Sequence, residues 1–413
     1  MDRLALSCIM TMDASGQVLD HKIVKTVLRS TERMTYDDCN ILLKDQDPAL
    51  AERYAHILPM LRDMAGLAKA LEKSRRVRGA LDLESQECYI VCDESGAPVD
   101  IRVRETGESE KLIESFMLAA NECVAQHLNK LDKPCVYRVH EKPSPDKAEA
   151  LRAMITPLGY DLKEADGPSL QKLLDASRGK PEEAAVSMMV LRALMKARYD
   201  GENLGHFGLG AKYYCHFTSP IRRYPDLLVH RILTALLDGK LTGQREKKLA
   251  AAVQKAAVQS SQRELAAQTA EREIEKRYMA EFMHGHLGET FAGVVSGVTR
   301  FGLFVMLPSG VEGLLPVEAL PGQGWQYDES RLTLVSEGGG ASYTFGAPLE
   351  VVCAAADPTT GQVDFTLPGV DPLPRAARME KREEAPRPPR REKHRGNRRA
   401  MHVPKGRKGR KKR

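Results

Sequence analysis

Apolar and polar positions alternate in two runs near the start of the chain, LALSCIMTM and VLDHKIVKTVL, with Asp13-Ala-Ser-Gly16 between them. Alternation at period two, broken by turn-forming residues, predicts a β-hairpin. STERMTYDDCN follows. Residues 47–77 then place Leu50, Tyr54, Ile57, Leu58, Leu61 and Met64 at helical spacing and predict a helix. Residues 87–105, ECYIVCDESGAPVDIRVRE, predict a second hairpin turned at Glu94-Ser95-Gly96. GESEKLIESFMLAANECVAQHLNK (107–130) is a strongly amphipathic helix, and CVYRVHE is a short strand. From Pro143 to Gly201 the pattern is helical, with loops at Gly159 and Gly179-Lys-Pro. A long charged helix is expected from Leu241 to Met283.

At His284-Gly285 the texture changes. GETFAGVVSGVTRFGLFVMLPSGVEGLLPVEAL is dense in Gly, Val and Phe, and two more strand-like runs follow, SYTFGAPLEVVCAAA and GQVDFTLPG. Short strands at this spacing suit a small closed barrel of the OB kind. After Asp371 the chain is rich in Pro, Arg and Lys and nearly free of apolar residues, which predicts disorder. The expected class is α+β: a helix-rich body with mixed sheet, then an all-β OB-fold barrel and a disordered basic tail.

Charge sharpens this division. The formal net charge of the 413 residues is +6, but from Arg375 onward 18 Lys and Arg face 4 Glu, and the rest of the chain is net negative. The positive charge belongs to the tail, which marks the tail as an attraction for nucleic acid. The eight cysteines include no CxxC pair; the nearest spacing, Cys88 to Cys92, is expected to put both on one strand face, more often as core filler than as a metal site. With no leader and no long apolar run, the expectation is a soluble, cytoplasmic protein with no membrane partner. The chain opens almost directly in strand-like sequence, as though entered midway through a domain.

The stretch HFTSPIRRYPDLLVHR, His216 to Arg231, places two arginines beside a helix start. Ser219-Pro220 can cap and open a helix, whereas Pro225 favours a short turn with the longer helix restarting there and running to Gly239. A helix N-terminus is already positive, so cations are disfavoured there and anions welcome. Two readings follow. Arg222 and Arg223 either pair with carboxylates elsewhere in the fold, or converge with free backbone N–H groups on an anion such as a phosphate.

In the barrel, Phe301 and Phe304 flank Gly302 on one strand, Phe291 lies on the strand before, and Arg300 is adjacent. Aromatics on such a sheet can stack bases while cations meet phosphates; barrel core accounts for one or two of the three rings. This segment resembles an S1-type RNA-binding domain, with Pro316 where that family often has histidine.

HFGLGAKYYCHFTSPIRRYPDLLVHR resembles the signature late in the catalytic domain of the ribonuclease R / ribonuclease II (RNB) family, and RSTERMTYDDCN, LIESFMLAANECVA and QTAEREIEKRYMAEFM agree in order and spacing. The resemblance runs from residue 1 to about 368. It implies a partial RNB catalytic domain over 1–283, an S1-type OB-fold domain over 284–368 and a Lys/Arg-rich tail over 369–413. It implies 3′→5′ hydrolysis of RNA to nucleoside 5′-monophosphates, with Mg²⁺ activating water. Arg222 matches the catalytic arginine that reaches a phosphate at the RNA 3′ end, with Arg223 beside it. Tyr36 matches a tyrosine on the terminal nucleotides, Glu114 a glutamate on the ribose hydroxyl, and Glu271 a glutamate near the active site. The family's metal ligands come from a DFDDA-like aspartate cluster that this sequence does not contain, and Asp37-Asp38 is no substitute. The chain alone is therefore expected to lack the metal site. Expected partners are single-stranded and structured RNA and, through the tail, the ribosome; a monomer is expected. The rival class is a non-catalytic RNA-binding or ribosome-associated protein.

Overall fold

Two hairpins of the body are turned by the same device. In the computed structural model, which describes residues 1–44, 46–82, 87–104, 106–180, 182–328, 331–337 and 340–371, β1 (Asp2–Met12) pairs antiparallel with β2 (Val18–Arg29). Asp13 Oδ1 accepts from Ser15 N, Ser15 Oγ and Gln17 N at 2.9, 2.7 and 2.9 Å. Further on, β3 (Glu87–Cys92) pairs with β4 (Pro98–Arg104), and Asp93 Oδ1 makes the same three bonds to Ser95 N, Ser95 Oγ and Ala97 N. An aspartate that folds its own backbone back, followed by a glycine free to take positive φ (Gly16 at 80°, Gly96 at 86°), fixes each turn locally. The tail beyond residue 371 lies outside the described residues.

Between the hairpins run α1 (Tyr36–Leu43), α2 (Pro48–Arg53) and α3 (Leu58–Val77). The single helix expected over 47–77 is thus two. Asp47 caps α2 by accepting from Ala49 N and Leu50 N, and the chain then breaks at Tyr54. Pro59, in the first turn of α3, has no N–H to continue the earlier ladder. The central helix α4 (Glu108–Lys130) packs its buried stripe, including Leu112, Leu118, Val124 and Leu128, against α1, α3 and the β1–β2 hairpin. The expected helical stretch beyond it resolves into α5 (Pro145–Ile155), α6 (Gly167–Ser177) and α7 (Glu183–Ala193), which share a core of Leu151, Ile155, Leu170, Val186 and Met189.

Short strands β5 (Tyr137–Val139) and β6 (Arg198–Asp200) pair beneath α8 (Tyr224–Leu237) and the 42-residue α9 (Gly243–His284). The far end of α9 carries the barrel, built from β7 (Thr290–Thr299), β8 (Gly302–Met306), β9 (Glu312–Pro316), a three-stranded excursion β10 (Gln326–Asp328), β11 (Thr333–Val335) and β12 (Ser342–Thr344), then β13 (Pro348–Asp357) and β14 (Gln362–Thr366). The strand order β13-β14-β9-β8-β7 closes on itself, leaving no edge in the barrel. Gly302, at φ 144°, sits so close to β9 that a Cβ would lie 2.3 Å from the Leu315 carbonyl oxygen, so no larger residue fits. Ala280 and Met283 of α9 are fully buried in the same core as Val295, Leu303 and Phe365, and one His284 Nδ1 contact reaches Ala356 O at 3.0 Å. The barrel is therefore seated on the helix rather than tethered to it.

Candidate nucleic-acid interface

The two arginines of SPIRR part company. Ser219 O accepts from Arg222 N and Arg223 N at 3.3 and 3.1 Å, so Ser219-Pro220 opens a tight turn, and the long helix restarts at Tyr224 with Pro225 in its first turn. Arg223 folds back onto Asp226: Nε donates to Oδ2 at 2.9 Å and Nη2 to Oδ1 at 2.8 Å. Ser219 N also donates to Asp226 Oδ1, at 2.8 Å. The Asp226 side chain is fully buried, and this forked pair satisfies both of its oxygens. Arg223 thus has its carboxylate within the motif itself, while Arg222 faces solvent beside the fully exposed Ile221.

The turn is held from below. Asn121 of α4 accepts from Phe217 N at 2.9 Å and donates to Tyr214 Oη at 3.2 Å. His230 of α8 donates through Nε2 to Phe217 O at 2.8 Å and stacks on the Phe217 ring. Beside it, Tyr199 Oη lies 2.9 Å from His216 Nδ1, and the Arg138 guanidinium sits 4.7 Å from the Tyr199 ring centre while donating to Glu264 of α9 at 2.6 Å. Burial, and then the nearby Arg223 and Arg138 charges, push the His216 pKa down to about 3, so its ring is neutral at any ordinary pH. Burial and His140 push His206 down to about 3 as well. None of these supporting residues was singled out from sequence. The available signal was polar His216 inside the apolar run YYCHF, and Asp226 in the first turn after Pro225.

The other expected residues fall into two groups, one on the helices of the body and one on the barrel. Tyr36 is the first residue of α1, 44% exposed, and its carbonyl accepts from Ser109 Oγ in the first turn of α4. Glu114 is exposed on α4, two turns before Asn121 and close to the same face, which puts it about 10 Å along the axis from the residue that pins the arginine turn. Glu271 is exposed on α9, two turns beyond Glu264 on the same stripe. The second group is on the barrel. Arg300 is exposed in the β7–β8 turn; Phe301 and Phe304 meet edge to face at 6.1 Å, and Phe304 covers Gly297 on the outer surface. Phe291 does not join them. It has the inward parity of Gly293 and Val295, packs on the barrel core and lies 6.4 Å from the His286 ring.

A family model described as the RNB domain matches residues 1–239, more than half of the chain. The chain belongs to the RNB family. A second model, the S1 RNA binding domain, matches residues 286–340, which contain β7 to β11. Ribonuclease R 1 of Lactococcus lactis is 40% identical over 388 residues, covering 92% of this chain and 47% of the relative. Ribonuclease R of Aquifex aeolicus is 37% identical over 370 residues, covering 89% of this chain and 52% of the relative. The chain spans about half the length of the curated relatives it matches. Among solved structures, Mycoplasma genitalium RNase R in complex with ribose methylated single-stranded RNA superposes with a TM-score of 0.81 at 26% identity, over 89% of this chain and 58% of that one.

RNB nucleases are generally metal-dependent. Among the described residues, no three His, Cys, Asp or Glu side chains converge so as to hold a metal ion. The carboxylate nearest Arg222 in sequence, Asp226, has both oxygens committed to Arg223 and Ser219. The described residues do not fit a divalent cation, and no step below is routed through one. No helix among them is long and apolar enough to cross a membrane.

Proposed function

We propose that this chain is the RNA-gripping part of a 3′→5′ exoribonuclease of the ribonuclease R type, which hydrolyses RNA from its 3′ end to nucleoside 5′-monophosphates in the cytoplasm. The observation that carries this reading is the exposed Arg222 on a turn whose other arginine is already neutralised. A guanidinium with no internal role, presented on a pinned backbone, suits a phosphate and the charge that develops on it during in-line displacement. Tyr36 offers an exposed ring to stack a terminal base. Glu114 offers a carboxylate to a ribose 2′-hydroxyl, the group that distinguishes RNA from DNA. On the barrel, Phe301, Phe304 and Arg300 form a stacking and charge platform for the incoming strand, single-stranded or duplex-derived. The family's metal, Mg²⁺ in this reading, would supply the activated water, and among the described residues none is assigned to hold it.

The test uses the chain joined to the upstream half of a ribonuclease R relative, with a 5′-labelled RNA and Mg²⁺. Stepwise shortening from the 3′ end with release of 5′-mononucleotides is expected. Arg222→Lys should lower turnover at least tenfold while changing RNA affinity little, because a point charge replaces a fork placed for the transition state. Internal cleavage, or turnover unchanged by Arg222→Lys, would overturn the reading.

A further inference from the structure

A cavity of about 450 Å³ lies among the Ser15–Val18 turn of the first hairpin, α3, α4 and the Lys212–Tyr213 segment. From α4 it is lined by Ala119, Glu122 and Gln126, one stripe of that helix. Glu114 and Asn121 stand on another stripe, roughly a quarter-turn around the axis, so the cavity is not part of the arginine-turn site. The hairpin turn is seated firmly: a Cβ on Gly16 would lie 3.1 Å from Leu71 N of α3. Three cations line the space, Arg75, Arg78 and Lys212, against one carboxylate, Glu122. That carboxylate is already neutralised, because Arg78 Nη1 and Nη2 donate to its two oxygens at 2.8 and 3.0 Å. Arg75 has no such partner. Its Nη2 donates to the neutral Ser115 Oγ at 3.1 Å, and among the described residues this is its one hydrogen bond, with no ion pair beside it. The side chain is half-buried, and burial pushes its pKa down despite nearby Glu114, Glu122 and Glu72. A guanidinium keeps its proton in a protein, so this charge stays and is under-compensated. Lys212 is exposed, and its Nζ lies over the Tyr213 ring, 5.4 Å from the centre.

We propose that this cavity is a binding site for a nucleoside 5′-monophosphate, separate from the arginine turn. The phosphate is the anion that the unpaired Arg75 lacks, and a guanidinium with donors to spare meets phosphate oxygens as a fork. Lys212 adds a second positive charge at the same space. The Tyr213 ring gives the base a surface to stack on, and the amides of Gln17 and Gln126 offer both donors and acceptors to its edge. The volume falls within the roughly 300–1,000 Å³ of small-molecule sites. Arg78 contributes little, since its charge is spent on Glu122. A nucleoside 5′-monophosphate is also what the proposed exonuclease releases. Reading the occupant as returning product rests on that proposal; the binding itself does not.

The experiment titrates the full chain with adenosine 5′-monophosphate by calorimetry, beside adenosine and inorganic phosphate. The nucleotide should bind more tightly than phosphate, and adenosine should not bind measurably. Arg75→Gln, which can keep the bond to Ser115, should weaken nucleotide binding by about 10- to 100-fold, the share of a charge-assisted hydrogen bond. Lys212→Gln, a surface change that leaves folding alone, should weaken it by about 2- to 5-fold and tests the site even if Arg75→Gln fails to fold. Arg222→Ala should leave the affinity as it was. None of these readouts depends on hydrolysis, so the site and the exonuclease reading fail separately. The proposal is overturned if the nucleotide does not bind at millimolar concentration, if phosphate or adenosine binds as tightly, or if Arg222→Ala abolishes binding that Arg75→Gln and Lys212→Gln leave intact.

Discussion

Arg223 and Asp226, three residues apart, hold each other through two hydrogen bonds of 2.9 and 2.8 Å, and this pairing separates the roles of two adjacent arginines. The Asp226 carboxylate is fully buried and also takes the Ser219 N–H, so removing it strands a guanidinium and a backbone donor together. Breaking one partner of a buried pair costs about 3–5 kcal/mol, whereas a surface substitution is typically within about 0.5 kcal/mol. Asp226→Ala should therefore shift the urea midpoint strongly downward, and Arg222→Ala should leave it nearly in place. Equal midpoints for the two variants would mean that Asp226 does not organise the turn.

The three barrel phenylalanines should respond differently to truncation. Phe301 and Phe304 lie together on the outer surface, while Phe291 faces the core. Phe301→Ala should weaken single-stranded RNA binding by about 1–3 kcal/mol, the usual value of one base–aromatic stack, with little change in Tm. Phe291→Ala should do the reverse, lowering Tm through lost packing while RNA affinity is nearly kept. Fluorescence anisotropy with a labelled oligonucleotide, beside a thermal melt of each variant, separates the two. Loss of affinity at Phe291 with none at Phe301 would place the binding face on the wrong side of the sheet.

What was legible in the sequence was what local chemistry decides. Asp13-Ala-Ser-Gly and Asp93-Glu-Ser-Gly carry their own turn-forming bonds, so both hairpins could be read directly. The helices over 107–130 and 241–283 were legible from long periodic patterns, and the family from extended motifs. The break at Tyr54 was hidden because Leu50, Tyr54, Ile57 and Leu61 keep a helical rhythm across it, and only Pro59 interrupts the ladder. The placement of Phe291 was hidden because strand parity through a bulge, here between Val295 and Gly297, cannot be counted from the sequence. The fate of Arg223 was visible only as two open alternatives. Its partner proved to be a carboxylate three residues on, because the first turn of α8 brings position 226 back over 223.

The tail from Arg375 onward, outside the described residues, makes a prediction from charge alone. Each phosphate neutralised on a single strand contributes a slope of about −0.7 to log K against log salt. Deleting residues 375–413 should flatten the salt dependence of RNA binding and leave the Phe301→Ala effect intact, since stacking is not a counterion effect. An unchanged slope would move the electrostatic footprint to the body of the protein.

The buried imidazoles give the chain a defined weakness toward acid. His206 and His216 are pushed down to about 3 in the folded protein, against a free value of about 6.5. His127 and His140 are lowered too, chiefly by burial. Above pH 6.5 these rings are neutral in both states and add no pH dependence. As pH falls below 6.5 the unfolded chain takes up protons that the folded chain refuses, so stability is lost progressively, and for His206 and His216 the loss continues until they titrate near 3 in the folded protein. Each of these two contributes a slope of about 1.4 kcal/mol per pH unit within that window. Carboxylates whose pKa values are lowered, Asp13 and Asp93 from a free value near 4 and Glu110 and Glu182 from one near 4.5, act chiefly below pH 5, so from pH 5 to 6 the histidines dominate. Urea midpoints measured across that interval should fall steadily in the natural sequence. His216→Gln should reduce the slope by about one proton's share, and adding His206→Gln by about another, whatever either change does to stability at pH 7. A double variant with the original slope would show that these two rings are protonated in the folded protein, and the neutral cluster beneath the arginine turn would have to be abandoned.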